Sequence, residues 1–179
     1  INHTVDVFKN DTTHQHLYSF PDAQKEDDSF LFQPRNIFVT NDFVYVSDFG
    51  SFNIKKFTTE GEYVMTIGSQ GVHPGQFARP KGIAVDENDN LYALDAAFGN
   101  AQIFNSEGQL LMFFGSPVNE DSGKGFMLML GTVDIDYENI KYFEMYTDPK
   151  YDLKYLILVT NQYGPYKLNV YGRIELKEE

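Results

Sequence analysis

Residues Gly75–Gly115 read GQFARPKGIAVDENDNLYALDAAFGNAQIFNSEGQLLMFFG, and this stretch decides the fold. Its apolar runs are short and are separated by Gly, Asn, Asp and Ser, which is the pattern of short β-strands joined by turns. The chain contains a second, more degenerate copy of this stretch in residues 31–68. Residues of the same type recur 47 positions apart: Tyr45 and Tyr92, Asp48 and Asp95, Phe57 and Phe104, Gly61 and Gly108, Gly68 and Gly115.

A period of this length with four strands per unit is typical of the blades of a β-propeller. We therefore predict an all-β fold made of four-stranded antiparallel blades. The predicted segments are a half blade in residues 1–20, complete blades in 30–68 and 75–115, and a last blade in 131–175 that carries an insertion. Residues 116–125 are predicted to be a connecting loop.

The last unit departs from the repeat. Its first strand is predicted at residues 133–136 and its second at Leu156–Thr160, so that about 15 residues are inserted between them. Apolar residues at helical spacing within Glu138–Tyr146 predict a short helix there. The third strand is predicted at Lys167–Tyr171, and residues 173–179 are predicted to be a charged tail.

The predicted strands number 13, whereas even a small closed propeller of four four-stranded blades needs about 16. We therefore expect further blades, or another chain, to cover the open side of the repeat.

The composition excludes several classes of function. The chain has 14 Lys and Arg against 26 Asp and Glu, a net charge of −12, which argues against binding to nucleic acid or to an anionic membrane surface. It contains no cysteine, and therefore no disulfide and no thiolate ligand. No apolar run is long enough to predict a membrane span.

The segment Gly75–Asp86, with the pattern G-x-F-x-x-P-x-G-I-A-V-D, and Asn90–Asp95, with the pattern N-L-Y-x-x-D, together resemble an NHL repeat. The copy in residues 31–68 keeps Pro34 but has Asn36 where the family prefers Gly. The resemblance implies an NHL-type propeller of the six-bladed type, of which this chain is an incomplete part. It implies little about activity, because one scaffold serves many unrelated functions.

Residues 134–172 carry a narrower resemblance, to the terminal blade of secreted bacterial NHL-repeat proteins that are found alongside multihaem c-type cytochromes. It implies a secreted protein, periplasmic or extracellular, with a multihaem cytochrome as a candidate partner. It does not imply a haem in this chain, since haem attachment through C-x-x-C-H needs cysteine.

We accordingly expect a non-enzymatic scaffold that binds or assembles with a protein and holds no cofactor. The alternatives are a metal-dependent lactonase-like or lyase-like enzyme, and an NHL-type RNA-binding module, which the negative charge disfavours.

Three polar residues recur where a second strand ends: Asp48, Asp95 and, close to the matching position, Asn161. An Asp at such a place usually accepts hydrogen bonds from backbone amides of the neighbouring turn. In lactonase and lyase relatives of the architecture, acidic and amide groups near the axis hold a metal instead. No His or Glu completes such a set here, so we favour the structural role.

The candidate binding surface consists of basic and aromatic residues together with Asp48, Asp95 and Asn161. Arg35, Arg79 and Lys81 precede or begin the first strands of two blades; they are expected either to neutralise nearby Asp residues or to bind an acidic group of a partner. An aromatic residue beside Gly follows each second strand, and it serves either a binding rim or packing between blades. These aromatic residues are Phe49, Phe98 and Tyr163.

Two further motifs suggest metal ligands, but weakly. Asp86–Asn90 is rich in oxygen ligands, yet it lacks the order of a calcium loop and is better explained as a turn. His14 and His16 offer only two imidazoles, and an exposed polar hairpin is the simpler interpretation. The sequence therefore predicts no metal site.

Overall fold

The structure is a computed structural model, and it describes residues 3–115, 127, 130–163 and 166–177. Thirteen β-strands and two short 3-10 helices occur in these residues. The strands are β1 Val5–Phe8, β2 His16–Phe20, β3 Pro34–Val39, β4 Phe43–Asp48, β5 Asn53–Thr58, β6 Tyr63–Ile67, β7 Pro80–Val85, β8 Leu91–Asp95, β9 Asn100–Phe104, β10 Leu110–Phe114, β11 Leu130–Asp136, β12 Tyr151–Asn161 and β13 Leu168–Leu176. The predicted loop at residues 116–125 lies outside the described residues.

The strands form four antiparallel sheets in chain order. They are the pair β1–β2, the four-stranded sheets β3–β6 and β7–β10, and the three-stranded sheet β11–β13. Within each sheet every strand pairs with its neighbour in sequence, as expected for propeller blades. The predicted fold class is therefore confirmed, and we refer to the four sheets as the half blade, the first blade, the central blade and the last blade.

The hydrophobic core lies between the sheets. One cluster of buried residues joins the half blade to the first blade, a second joins the first to the central blade, and a third joins the central to the last blade. The connection before each inner strand adds one fully buried side chain to these clusters. These three side chains are Leu31, Phe77 and Met127, which occupy equivalent positions of the repeat.

Glycine is required where the outer strand of a blade ends. Gly68 and Gly115 have φ of +76° and +89°, a conformation that L-residues rarely adopt. A Cβ on Gly68 would collide with the ring of Phe77, and one on Gly115 would collide with Met127. The repeated Gly therefore lets the chain turn directly over the buried side chain of the next blade.

One face of the first blade is open. Ile37 and Val39 on its inner strand are 47% and 58% exposed, whereas the equivalent Ile83 and Val85 of the central blade are 2% and 6% exposed. Ile83 and Val85 are buried because they pack with residues of the first blade. Among the described residues, the half blade supplies only the strands that match the third and fourth of a blade, so no inner strands cover Ile37 and Val39.

The last blade differs from the prediction in two respects. The insertion forms two 3-10 helices, Ile140–Tyr142 and Glu144–Tyr146, rather than one continuous helix. Residues 173–176 are not a tail, because β13 continues to Leu176, which pairs with Tyr151 at the start of the eleven-residue β12. No helix in the described part of the chain is long and apolar enough to cross a membrane.

Candidate functional site

Asp48 and Asp95 are the last residues of β4 and β8, and both are fully buried. Asp48 accepts hydrogen bonds from the backbone N–H groups of Phe32 and Gln33, at 2.7 and 2.6 Å. These donors belong to the connection that leads into the inner strand of the same blade. The Asp48 carboxylate is therefore a hydrogen-bond acceptor within its own blade, the role that the sequence favoured.

Asp95 repeats this arrangement in the central blade. Its Oδ2 accepts from the N–H groups of Ala78 and Arg79, at 2.7 and 2.8 Å. Its Oδ1 accepts from those of Ala97 and Phe98, at 2.8 and 3.0 Å. Each Asp thus ties the loop after the second strand to the start of the first strand, which fixes both at the same end of the blade.

Asn161 occupies the matching position in the last blade. It pairs with Leu130 in the register, as Asp48 pairs with Pro34 and Asp95 with Pro80. Its side-chain amide donates to the carbonyl of Tyr166, at 2.9 Å. Asn161 is therefore equivalent in position to Asp48 and Asp95.

A cavity of about 340 Å³ lies at this end of the inner strands. It contains the three basic residues that the sequence singled out, together with one of the three aromatic residues. Its lining is Arg35, Asn36, Phe49, Arg79, Lys81, Gly82 and Gly131. We call this space the basic cavity.

The inner strands come together at the basic cavity in two different ways. Gly82 of β7 lies against β11 so closely that a Cβ would stand 2.6 Å from Cα of Thr132. Asn36 is the equivalent residue of β3, and its Oδ1 accepts a hydrogen bond from the N–H of Ile83 at 3.1 Å. The departure from the Gly of the NHL pattern therefore has a structural reason, since the amide side chain bridges β3 to β7.

The cations of the basic cavity are not neutralised by ion pairs. Across the described ranges, no carboxylate lies within 4.0 Å of the charged groups of Arg35, Arg79 or Lys81. The guanidinium of Arg35 instead lies over the ring of Phe49, 5.4 Å from its centre. The nearby Asp48 and Asp95 accept hydrogen bonds from backbone amides. That the cluster either offsets these buried charges or binds an acidic group of a partner stays a prediction.

The other two aromatic residues do not line the basic cavity. Phe98 follows β8 and is half-buried, whereas Tyr163 follows β12 and is exposed. Gly164, the neighbour of Tyr163, lies outside the described residues. That these residues extend one binding rim with Phe49 stays a prediction.

The two motifs that suggested metal ligands have other partners. In the segment Asp86–Asn90, the Asp86 carboxylate accepts from the N–H groups of Asn88 and Asn90, both at 2.9 Å, which closes a tight turn. His14 has a φ of +46° in the turn before β2, and His16 bonds the Ser19 hydroxyl at 2.8 Å. In the part of the chain that the structure describes, no three His, Asp or Glu residues are grouped as metal ligands would be.

Sequence reasoning missed a buried ionic link between blades. The Lys56 ammonium on β5 is paired with Asp89 at 2.5 Å and lies 3.9 Å from the centre of the Phe43 ring. The Tyr45 hydroxyl donates to the same Asp89 at 2.5 Å, and burial together with this hydrogen bond raises the pKa of Tyr45. The contacts join residues 33 and 44 positions apart, so no local pattern indicates them.

A second buried polar link joins the central and last blades. The hydroxyl of Tyr155 donates to Asp86 at 2.8 Å and is bonded to the hydroxyl of Tyr92 at 2.6 Å. Burial, with these two hydrogen bonds, raises the pKa of Tyr155. These hydrogen bonds hold the central blade against the last blade. The basic cavity therefore remains the candidate site.

Comparison with known proteins identifies the family. A model of the family described as 6-bladed beta-propeller matches residues 4–112. This chain belongs to that family. The match covers more than half of the chain, and the successive antiparallel blades of the structure agree with it. No curated protein sequence matches the chain at a significant level.

Solved structures agree on the fold. An exported protein from Bacteroides fragilis is 20% identical with a TM-score of 0.51, over 78% of this chain and 37% of its own. Streptogramin B lyase is 12% identical with a TM-score of 0.54, over 94% and 47%. Virginiamycin B lyase from Staphylococcus aureus is 8% identical with a TM-score of 0.52, over 94% and 48%. At these identities the likeness concerns the fold alone, and the chain spans less than half the length of each.

Proposed function

We propose that this chain is part of an exported, non-enzymatic propeller scaffold that assembles with a protein. The observation that carries the proposal is the open face of the first blade. Ile37 and Val39 lie on an inner strand and about half of each is exposed, whereas the equivalent Ile83 and Val85 of the central blade are buried. The occupant of this face is a pair of inner strands, supplied by further blades of the same propeller or by a partner protein.

The energetics favour coverage of this face. Burying a whole Val or Ile side chain contributes about 1.5–3 kcal/mol, and roughly half of each side chain remains to be buried. Covering these two residues alone is therefore worth about 2 kcal/mol. Among the described residues β1 pairs only with β2, so its other edge is available to a further strand. A strand edge that stays exposed is prone to pair with other chains and to aggregate.

Export and a redox neighbourhood complete the proposal. Export is supported by the resemblance of residues 134–172 to secreted NHL-repeat proteins and by the exported fold neighbour. A multihaem cytochrome is the candidate partner that the resemblance suggests. The rim formed by Phe49, Phe98 and Tyr163 is the proposed contact surface for such a partner.

Thiol accessibility tests the proposal, because residues 1–179 contain no native cysteine. Val39→Cys is treated with a thiol-reactive label in the full-length protein with its partner, and Glu107→Cys in an exposed turn is the matched control. We expect Val39→Cys to be protected from the label, because inner strands cover it, and Glu107→Cys to be labelled rapidly. A Val39→Cys that is labelled as fast as Glu107→Cys contradicts the proposal.

A further inference from the structure

We propose that the basic cavity is a binding site for a carboxylate group, presented by a small organic acid or by an acidic peptide. The proposal rests on the proposed function in one respect, because the same rim is proposed to contact a partner. The test of this proposal measures ligand binding by variants of Arg79 and Lys81, whereas the proposed function is tested with a variant of Val39. The two can therefore fail separately.

The first argument is the distribution of charge. The chain carries 26 acidic residues against 14 basic ones, so most cations have an acidic neighbour available. In the described part of the chain only five Lys or Arg side chains have neither a hydrogen bond nor an ion pair, and three of these lie in the basic cavity. The other two are Lys141 and Lys177. Cations grouped without acidic partners inside an acidic protein indicate a place for an external anion.

The second argument is that the local carboxylates are committed elsewhere. The four N–H groups that bond Asp95 and the backbone and hydroxyl donors that bond Asp48 hold both carboxylates within the loops. These bonds also hold the backbone of Arg79, since its own N–H is one of the donors. The loops are therefore held in place by bonds that leave the side chains of Arg35, Arg79 and Lys81 without a direct carboxylate partner among the described residues.

The third argument concerns the shape and chemistry of the ligand. A volume of about 340 Å³ lies at the small end of the range for small-molecule sites, roughly 300–1,000 Å³. Two guanidinium groups offer planar donors that match a carboxylate, and Lys81 adds a third cation. The Phe49 ring provides an apolar wall for the carbon skeleton, and Gly82 and Gly131 add no side chain to the cavity that they line. We prefer a carboxylate to a phosphate because the overall negative charge penalises a doubly charged ligand more strongly.

Calorimetric titration of the full-length protein tests the proposal with three probes at low ionic strength. They are benzoate, a tripeptide with blocked ends and a single central glutamate, and inorganic phosphate. We expect saturable binding of at least one carboxylate probe, weakened at 0.5 M salt because exposed charges are screened. Preference for the peptide assigns the site to an acidic protein segment, and preference for benzoate assigns it to a small organic acid.

Variants locate the binding. Arg79→Gln and Lys81→Gln are each expected to weaken carboxylate binding roughly tenfold or more, the scale of one lost charged hydrogen bond. Lys141→Gln, an unpaired exposed lysine outside the cavity, is the matched control and should leave the affinity unchanged. Thermal melting checks that each variant remains folded. No binding of either carboxylate, tighter binding of phosphate, or equal binding by Arg79→Gln and the parent would each overturn the proposal.

Discussion

Replacing Asp95 tests whether the buried carboxylate is a structural acceptor. Its two oxygens accept from the N–H groups of Ala78, Arg79, Ala97 and Phe98, at 2.7–3.0 Å. A hydrogen bond to a charged group contributes about 1.5–3 kcal/mol, and a buried donor left without a partner costs about 1–3 kcal/mol. Allowing for water that reaches part of the loop, Asp95→Ala should lower the free energy of unfolding by about 4 kcal/mol or more. That loss is a large part of the net stability of a domain.

The variant Asp95→Asn sharpens the test, because it keeps the size of the side chain. Its one oxygen can serve two of the four donors, but its NH₂ group would face the other two. We therefore expect about half of the loss seen for Asp95→Ala, rather than a neutral change. A metal-ligand role, in contrast, would make the loss depend on added metal.

Urea denaturation followed by circular dichroism measures both variants against the parent. Glu107→Ala is the control, because Glu107 lies in an exposed turn and its carboxylate accepts a hydrogen bond from the neighbouring Ser106 hydroxyl. It should change stability by less than about 0.5 kcal/mol. If Asp95→Ala were as stable as Glu107→Ala, the structural role assigned to the repeated Asp would be refuted.

Three other predictions concern the blades and the metal question. Gly82→Val should destabilise the protein by about 2 kcal/mol or more, because its Cβ would lie 2.6 Å from Cα of Thr132. Asn36→Gly should cost about 1 kcal/mol, because one hydrogen bond is lost. Equal urea denaturation midpoints for the two variants would contradict this. Burial and the hydrogen bond to Asp89 raise the pKa of Tyr45 above its usual 10.0. The stability that Tyr45 contributes is therefore complete below pH 10 and is lost as the pH rises further. Tyr45→Phe should reduce the decrease in the free energy of unfolding between pH 9 and 11, measured by urea denaturation, and an unchanged decrease would count against this. Adding a chelator should leave the melting temperature unchanged, and a drop of several degrees would reveal a metal site.

The repeat predicts most of the fold, because its strands obey a local pattern. The turns at Gly61 and Gly108, the strand ends at Asp48 and Asp95, and the strand total all follow from residues that recur 47 positions apart. The structural role of the repeated Asp is also confirmed by its backbone partners. These features depend on neighbours along the chain, which a single sequence displays.

The features that escaped prediction depend on contacts between blades. Lys55 and Lys56 are adjacent in β5, so alternation predicts at least one on an exposed face, yet both are buried. Lys56 finds Asp89 in the next blade, and Lys55 reaches the carbonyl of Asp28 at 2.6 Å. Burial lowers the pKa of Lys55 below its usual value.

The last blade escaped prediction for a different reason. The charge of residues 173–179 predicts a tail. Charged and apolar residues nevertheless alternate over residues 173–176, as they do in a strand. Because β12 extends back to Tyr151, residues 173–176 have a partner strand with which to pair. In the basic cavity, Asn36 and Gly82 were visible as motif positions, but their closeness to the neighbouring inner strands was not.

Sedimentation of residues 1–179 by themselves tests the central claim most directly. In the proposed arrangement, further strands cover Ile37, Val39 and the edge of β1 that no described strand pairs. We predict that the isolated segment self-associates or aggregates, and that adding the remaining blades or the partner yields a discrete, compact species. A compact, soluble and stable monomer of 20.5 kDa would contradict the account.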